Sequence, residues 1–222
     1  FLQTNCNAYS AGILPFSNII IPLSVFFATN AEQDTTPTAS QRESLLTWIW
    51  RTFFSRRYSK RLEQLNDDIT LIKELREAGH SSLGEFEVDL DERFFTESQF
   101  NLNTVNAKSF VLLLANQGPL SFISGSPVAL NSVLREANKK EFHHLYLRKY
   151  LTDSGSSVKE INALVNFAII SRSENNKLGG VQPSQYKNKM PTNDEAMRFI
   201  LERSICPDSV FYDNFQDFVL ER

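Results

Sequence analysis

The sequence predicts a mainly α fold in which a small module of two strands and one helix is embedded. Apolar residues recur at three- and four-residue intervals in several stretches of the 222-residue chain, as on one face of a helix. Glycine and proline number only eight each, which disfavours an all-β architecture with its many tight turns. The exception lies between residues 141 and 171, where short apolar runs are typical of strands.

The first predicted helices lie near the start of the chain. An apolar run over residues 16 to 30 predicts a core helix, in which Pro22 either kinks the helix or marks its first turn. Ser40 stands three residues before Glu43, which is the spacing of a capping box, and predicts a second helix that runs through about Phe54. Both helices belong to a helical region that we expect to extend over residues 1–138.

The remainder of this region is predicted to be helical with one less regular stretch. Regularly spaced Leu and Ile predict a helix over residues 59 to 78, which Gly79 closes. Residues 80 to 103 mix acidic residues with phenylalanines and predict only short helices and loops. The elements that follow are a buried helix over residues 105 to 116, a turn at residues 125 to 127 and a short helix over residues 130 to 138.

The C-terminal part of the chain, residues 191–222, is again predicted to be helical and to pack on the helical region. Asn193 can cap a helix that runs through Arg203. Pro207 breaks it, and Asp208 can cap a last helix. Residues 139–190, between the two helical parts, form the predicted strand-containing module.

Composition limits the classes of function. The net charge of −3 gives the whole chain no general affinity for nucleic acid or for an anionic membrane. Cys6 and Cys206 are far apart and form no CxxC pair, which disfavours a zinc knuckle or a disulfide framework and favours a reducing cytoplasm. The apolar stretch over residues 13 to 28 is too short to span a bilayer, so no membrane partner is expected.

The module begins with adjacent histidines, His143 and His144, at the end of a short extended stretch. In residues 161 to 171, the second half is apolar and strand-like, and it leads into a polar stretch where Ser173 or Asn175 is predicted to open a short helix. Neighbouring strand residues point to opposite faces, so the two histidines should have different roles unless the strand bulges.

A strand, a long loop, a strand and a short helix are the layout of a ββα-metal nuclease. Phosphodiester hydrolysis needs an activated water, a cation for the leaving oxygen and groups that hold both in line. A neutral imidazole suits the role of base, because its pKa lies near the working pH. A strand residue and a polar residue from the following helix can ligate the cation.

The stretch from His143 to Tyr186 resembles the HNH segment of GmrSD-type modification-dependent restriction enzymes and of SspE-like phage-defence proteins. The motifs that carry the resemblance are His143-His144-Leu145-Tyr146-Leu147, Asn162-Ala163-Leu164-Val165-Asn166, Asn175-Asn176-Lys177 and Pro183-Ser184-Gln185-Tyr186. The flanking sequences, including the final Phe215-Gln216-Asp217-Phe218, are similar as well, although only the HNH segment is specific. Leu147 and Ala163 depart from the family's common Pro and Ser, and His143 replaces the acidic residue of many HNH enzymes.

The resemblance implies a role for each residue of the motif. His144 would be the general base, and His143 and Asn175 would hold one Mg²⁺ or Mn²⁺ ion. Asn166 would fix the loop between the strands and hence the orientation of the base. Asn176 is an alternative ligand, since the sequence does not fix the helix register to one residue.

Basic residues near the module are the candidates for contact with double-stranded DNA. Lys177 and Arg172 would contact phosphate or offset charge in the transition state, and Arg148 and Lys149 would bind the DNA backbone. Residues 131 to 190 carry ten Lys or Arg against five Asp or Glu, whereas the rest of the chain carries thirteen against twenty-one. A second basic cluster fits a DNA grip and a solvated helix face equally well; it comprises Arg51, Arg56, Arg57, Lys60 and Arg61.

The sequence therefore predicts a metal-dependent DNA endonuclease or nickase of a bacterial restriction system, acting in the cytoplasm. The resemblance also implies a nucleotide-hydrolysing sensor domain N-terminal to Phe1, as a further partner. Two other interpretations stay open: a catalytically inactive HNH fold that binds DNA or docks a partner, and a purely structural helical scaffold. Taken alone, an adjacent histidine pair is more often structural than catalytic.

Overall fold

The computed structural model describes residues 1–28, 35–59, 63–135 and 141–222, and these are mainly helical with a small two-stranded antiparallel sheet. The elements in chain order are α1 (Leu2–Cys6), α2 (Ile20–Phe27), α3 (Ala39–Ser55), α4 (Glu63–Ala78), α5 (Arg93–Thr96), α6 (Val105–Asn116), α7 (Leu130–Arg135), β1 (Phe142–His144), α8 (Arg148–Asp153), α9 (Val158–Ile161), β2 (Phe167–Ile169), α10 (Arg172–Leu178), α11 (Pro183–Tyr186), α12 (Asp194–Glu202) and α13 (Phe215–Glu221). The mainly α prediction is confirmed. None of the helices among the described residues combines the length and the apolar character that crossing a bilayer requires.

The chain forms two compact units. The smaller unit is Leu14–Asp91, and the larger unit joins Phe1–Ile13 to Glu92–Arg222. Both strands, the elements around them and the C-terminal helices therefore lie in the larger unit. The division into a helical region (1–138), a strand-containing module (139–190) and C-terminal helices (191–222) stays a prediction.

In the smaller unit, the first predicted helix is shorter than expected. Residues 17–19 form a 3-10 helix, α2 begins at Ile20, and residues 29 and 30 of the predicted helix lie outside the described part. Pro22 is the third residue of α2. It therefore marks the first turn, where its missing N–H costs no helical hydrogen bond.

Helix α3 begins two residues earlier than its predicted capping box. Thr38, not Ser40, is the N-cap: its side chain accepts from Gln41 N, and the Gln41 side chain accepts from Thr38 N. Gln41 also donates from Nε2 to Leu75 O at 3.0 Å and is buried. With Thr38 as the cap, both polar atoms of the buried Gln41 amide are hydrogen-bonded, one to Thr38 N and the other to Leu75 O in α4. A capping box at Ser40 and Glu43 would not include Gln41.

Helix α4 matches its prediction at its end, and most of its predicted first turn lies outside the described residues. Residues 57–59 form a 3-10 helix, and residues 60–62 lie outside the described part. Gly79 follows the last turn with φ +82°, a left-handed conformation that glycine adopts without strain.

The smaller unit is organised around a buried carboxylate. Asp68 is fully buried and accepts hydrogen bonds from Trp48 Nε1 at 2.9 Å and Tyr58 Oη at 2.6 Å. Arg57 adds a bidentate pair, with Nε and an Nη atom at 2.9 and 2.8 Å from the two carboxylate oxygens. A buried charge is tolerated only when it is paired and hydrogen-bonded in this way.

This arrangement bears on the second basic cluster. Arg57 is committed to Asp68, and Arg51 donates to Phe86 O and lies over the Phe86 ring. Arg56 is exposed, whereas Lys60 and Arg61 lie outside the described residues. Two of these cations therefore serve packing inside the unit, which favours the helix-face interpretation over a DNA grip.

In the larger unit, α6 has the predicted bounds, begins at the Thr104 cap and is buried over most of its length. Helix α10 opens at Ser171 rather than at Ser173 or Asn175, because Ser171 forms a capping box with Glu174. The last helix is also corrected: residues 208–212 form a 3-10 helix, and Asn214, not Asp208, caps α13.

The C-terminal helices pack on the strand-containing region, which shares their apolar core. Tyr146 is fully buried, and its hydroxyl donates to Val210 O at 2.9 Å. Its ring lies 5.3 Å from that of Phe215 and 5.1 Å from that of Phe218. Arg222 donates to Val165 O and, at 2.8 Å, to Phe167 O. The end of the chain thereby holds the segment that leads into β2.

Candidate functional site

The two histidines lie on the first strand of an antiparallel pair. β1 and β2 pair Phe142 with Ile169, His143 with Ala168 and His144 with Phe167. The three consecutive pairs show no bulge, so His143 and His144 point to opposite faces of the ribbon. The order β1, β2, α10 is the strand, strand, helix order of the predicted module. That the module is of the HNH type stays a prediction.

The long loop between the strands is itself largely helical. It contains α8, α9 and a 3-10 helix at Leu164–Asn166. Asn166, the last residue of that 3-10 helix, is fully buried, and its amide spans the loop: Oδ1 accepts from Tyr146 N at 2.8 Å, while Nδ2 donates to Tyr146 O at 3.1 Å and Ile161 O at 3.0 Å. Its own carbonyl accepts from Leu145 N at 2.8 Å. Asn166 thus ties the residues that follow β1 to those that precede β2.

This clamp satisfies the backbone groups of Tyr146 within an apolar core. Each such group would cost free energy if it were buried without a partner. An aliphatic side chain cannot replace the amide, because the site needs one acceptor and two donated hydrogens in fixed directions. The loop position predicted for Asn166 therefore has a physical basis, whereas its contribution to a reaction stays a prediction.

His144 is partly buried at the end of β1. Its ring centroid lies 4.3 Å from that of Phe167, and its Nε2 lies 3.3 Å from Asn162 Oδ1. Burial lowers the pKa of His144 below its ordinary value of 6.5, and the charges of His143 and Arg148 act in the same direction, against an opposing effect of Asn162. The imidazole is therefore neutral near pH 7, the form that accepts a proton.

Helix α10 lies alongside β1 and brings the second half of the motif to the strand. The backbone N–H of Arg172 donates to Glu141 Oε2 at 3.3 Å, which ties the start of the helix to the start of the strand. His143 and Asn175 are both partly buried, whereas Asn176 is exposed. Asn175 is therefore the less exposed of the two candidate ligands on α10.

The four predicted DNA-binding cations are all exposed. Arg148 and Lys149 open α8, and Arg172 and Lys177 lie at the two ends of α10. The C-terminal carbonyls of α10 are capped by Lys189, whose Nζ donates to Lys177 O at 2.8 Å and Leu178 O at 2.9 Å. Lys189 is therefore engaged at the helix end, where a cation is favourable.

The donor set for a cation is small. Among the described residues, no group of three or more His, Cys, Asp or Glu side chains is placed to hold a metal ion. His143 and Asn175 would supply one imidazole nitrogen and one amide oxygen, both neutral. Mg²⁺ commonly keeps several waters and binds through one or two carboxylates together with substrate phosphates, and this pair supplies no carboxylate. A cation here would have to be held mainly by water and DNA.

Sequence reasoning assigned no function to Asn162, although this residue opens the motif that ends in Asn166. Its contact with His144 is the only direct side-chain hydrogen bond to that ring among the residues that the structure describes. The signal was the four-residue spacing between the two asparagines, which places them at the two ends of one short turn. The Asn162 amide contacts His144 at the end of β1, and the Asn166 amide contacts Tyr146 just after it.

No pattern in the sequence predicted the pocket beside α10. It has a volume of about 560 Å³, and Glu141, Glu174 and several serines line it. Glu174 accepts from Ile123 N at 3.5 Å and from the Ser171 hydroxyl at 3.0 Å. Two carboxylates make the pocket unfavourable for phosphate, so the DNA backbone is not expected to enter it.

Comparisons with protein-family models, with curated proteins and with solved structures found no match for this chain. The likeness to HNH restriction proteins therefore rests on the motif residues and their spacing.

Proposed function

We propose that this chain carries a divalent-cation-dependent nuclease site that nicks or cleaves double-stranded DNA, as part of a bacterial restriction or phage-defence system. The observation that carries the proposal is that Asn166, through its hydrogen bonds to Tyr146, holds the chain two residues after His144. A buried amide fixes the loop directly after the strand that ends in a neutral, partly exposed imidazole. The system and its cytoplasmic location come from the resemblance alone.

In the proposed reaction, His144 is the general base. Its neutral ring accepts a proton from the water that attacks the scissile phosphorus, and the leaving oxygen takes its proton from solvent. General bases of this kind contribute about 10²- to 10⁴-fold to the rate, provided that their geometry is held. The clamp at Asn166 and the pairing with β2 hold the backbone of His144 for this purpose.

His143 on β1 and Asn175 on α10 would hold the cation. A bound Mg²⁺ or Mn²⁺ ion would offset the charge that develops on the leaving oxygen. With two neutral protein ligands, the remaining positions fall to water and to phosphate oxygens. Metal affinity in the absence of DNA should then be weak, and binding of the two should be cooperative.

The exposed cations would hold the DNA backbone on either side of this strand. Arg148 and Lys149 extend from the loop after β1, whereas Arg172 and Lys177 extend from α10. Contacts to phosphate position a duplex without reading its sequence. The sensing of a particular modification would belong to the N-terminal domain that the resemblance implies.

Supercoiled-plasmid nicking tests the proposal directly. Wild type, His144→Ala and His80→Ala are compared in Mg²⁺, in Mn²⁺ and in EDTA. His80 is an exposed histidine of the smaller unit and is the matched control. We expect cation-dependent open circles from wild type and His80→Ala and none from His144→Ala. Equal nicking by all three proteins, or none by any, would contradict the nuclease assignment.

The second candidate is a catalytically inactive module that binds DNA or docks a partner. The small donor set favours it, because a site with only two neutral ligands can lose its metal and keep its fold. Such a module would bind DNA with a steep salt dependence, in EDTA as well as in Mg²⁺, and would be indifferent to His144→Ala. A purely structural scaffold would show neither binding nor cleavage.

A further inference from the structure

The amide of Asn162 has one fixed orientation. Asn162 follows the last residue of α9, and its Nδ2 donates to Val158 O at 2.9 Å, in the last turn of that helix. A carbonyl oxygen accepts only, so the atom that faces it must be the NH₂ group. Oδ1 is therefore the atom of Asn162 that lies 3.3 Å from His144 Nε2.

An acceptor oxygen next to a ring nitrogen selects the protonated nitrogen. In a neutral imidazole one nitrogen carries the hydrogen and the other carries the lone pair. Because Oδ1 of Asn162 can only accept, Nε2 of His144 carries the hydrogen and Nδ1 carries the lone pair. The amide network thereby fixes the tautomer of His144.

The ring orientation is fixed by contacts of different kinds. The Phe167 ring, whose centroid is 4.3 Å away at an interplanar angle of 42°, packs against the imidazole. Phe167 is also the β2 partner of His144, so the same strand pair that places the backbone places the packing surface. Rotation of the imidazole about its Cβ–Cγ bond would break the Asn162 bond and disrupt this packing.

We propose that Asn162 is a positioning residue that holds His144 in the Nε2–H tautomer, so that Nδ1 is the nitrogen that receives the proton of the attacking water. This inference rests on the proposed nuclease function. The inference adds two things to that function: the atom of His144 that accepts the proton, and a role for Asn162, to which the motif assigns none. Asn162 acts through His144 and touches neither DNA nor water in the reaction.

The substitutions that test this separate the two bonds of the amide. Asn162→Ala removes both the acceptor for His144 and the donor for Val158 O. Asn162→Asp keeps an oxygen acceptor for Nε2–H and removes only the donor. If the bond to Val158 were the important one, both variants would be equally defective. If the bond to His144 matters, Asp restores the function that Ala abolishes.

For nicking activity, we expect Asn162→Ala to lower kcat about 10- to 100-fold, as for other partners that orient functional histidines, and to leave KM nearly unchanged. Asn162→Asp should remain within a few-fold of wild type on the pH plateau. An Asp variant as defective as the Ala variant would overturn the proposal. A rise in KM with unchanged kcat would also overturn it, because that pattern indicates weakened binding of the substrate.

The tautomer itself can be measured without any activity. Nitrogen NMR of the metal-free protein, at a pH well above the ordinary imidazole pKa of 6.5, distinguishes the two ring nitrogens. The chain has only three histidines, and the signal that His144→Ala removes assigns the ring. We expect a hydrogen on Nε2 in wild type and in Asn162→Asp, and a mixture of tautomers in Asn162→Ala.

A hydrogen on Nδ1 in wild type would overturn the inference whatever the activity. If wild type carries the hydrogen on Nε2 but does not nick DNA, the positioning of His144 is supported and the nuclease proposal fails. The two results are therefore distinguishable.

Discussion

The Asp68 cluster in the smaller unit and the His144 site in the larger unit treat their polar groups in opposite ways. Asp68 is fully buried, and Trp48, Arg57 and Tyr58 together donate four hydrogen bonds to it. Burial and the nearby carboxylate raise the pKa of Tyr58 above its ordinary value, so it remains a donor at any physiological pH. Nothing in this cluster is positioned to exchange a proton with an outside molecule.

The polar groups of the site in the larger unit are not all bonded to the same extent. Asn166 is buried and saturated with hydrogen bonds, whereas His144 is only partly buried and is held by one amide and one aromatic ring. Asn166 therefore fixes the loop, whereas only one ring nitrogen of His144 has a hydrogen-bond partner among the described residues. In the proposed function, the other ring nitrogen receives the proton of the attacking water.

The largest expected effect is on stability, from the removal of the buried carboxylate. Asp68→Ala leaves the Arg57 charge without its partner, and breaking a buried pair in this way costs about 3–5 kcal/mol of unfolding free energy. Asp67→Ala is the matched control, because Asp67 is the exposed neighbour on α4. Urea unfolding measures both. A destabilisation as small as that of the control would show that the cluster does not stabilise the unit.

Asn166→Ala should lower both the stability of the fold and the rate of nicking. It leaves three buried backbone groups without partners, at about 1–3 kcal/mol for each group that stays unsatisfied, so we expect a destabilisation of about 2–4 kcal/mol after relaxation. Nicking should also fall, because the loop after β1 is no longer tied in place. Urea unfolding and nicking rates are compared with Asn188→Ala, whose exposed side chain should leave both unchanged. Full activity in a destabilised Asn166→Ala protein would refute the positioning role of the clamp.

A smaller effect is expected in the pH dependence of His144. Burial is the main reason that the pKa of His144 is below 6.5, so the base stays neutral at lower pH than an exposed histidine would. The acid limb of kcat/KM for nicking should therefore have its midpoint below pH 6.5. A midpoint at or above 6.5 would exclude His144 as the titrating base.

The same shift has a consequence for stability, with a definite sign. The unfolded chain binds the proton near pH 6.5 and the folded chain only at lower pH, so the contribution of neutral His144 is complete above 6.5 and is lost as pH falls through the folded pKa. Urea unfolding of His144→Ala should lack this part of the pH dependence. If wild type and His144→Ala are destabilised equally over that range, another group is responsible.

Local patterns predicted the elements well where one signal dominated. Helix α6 has its predicted bounds because an apolar run lies between the Thr104 cap and Gly118, which adopts φ +64°. The caps of α3 and α10 were wrong because Ser and Thr residues recur in both stretches, and each offers an N-cap. Contacts distant in sequence decide between them, as the bond from Gln41 to Leu75 O shows.

The residues of the candidate site were predictable from the sequence, but the contacts that hold them in place were not. The motif identified His143, His144 and Asn166, and their strand and loop positions follow from the sequence pattern. The contact from Asn162 depends on where α9 ends, and the packing of Tyr146 on the C-terminal helices joins residues more than sixty positions apart. No periodicity in the sequence carries that information, because it arises only when the elements pack.

The smallest expected effect is on DNA affinity, and it compares the exposed cations of α10 with those of the second basic cluster. Arg172→Ala and Lys177→Ala each remove an exposed charge from α10 and should reduce the salt slope of DNA binding by about 1 for each phosphate that is no longer neutralised. Arg56→Ala is the control. Arg56 is an exposed cation of the smaller unit, and the helix-face interpretation of the second basic cluster predicts that it does not contact DNA. Binding to one duplex is measured over a range of salt concentrations, in EDTA, so that cleavage does not interfere. A salt slope that changes with Arg56→Ala and not with the α10 variants would place the DNA interface at the second basic cluster. Arg56 would then contact phosphate although Arg51 and Arg57, its neighbours in that cluster, are bonded inside the unit.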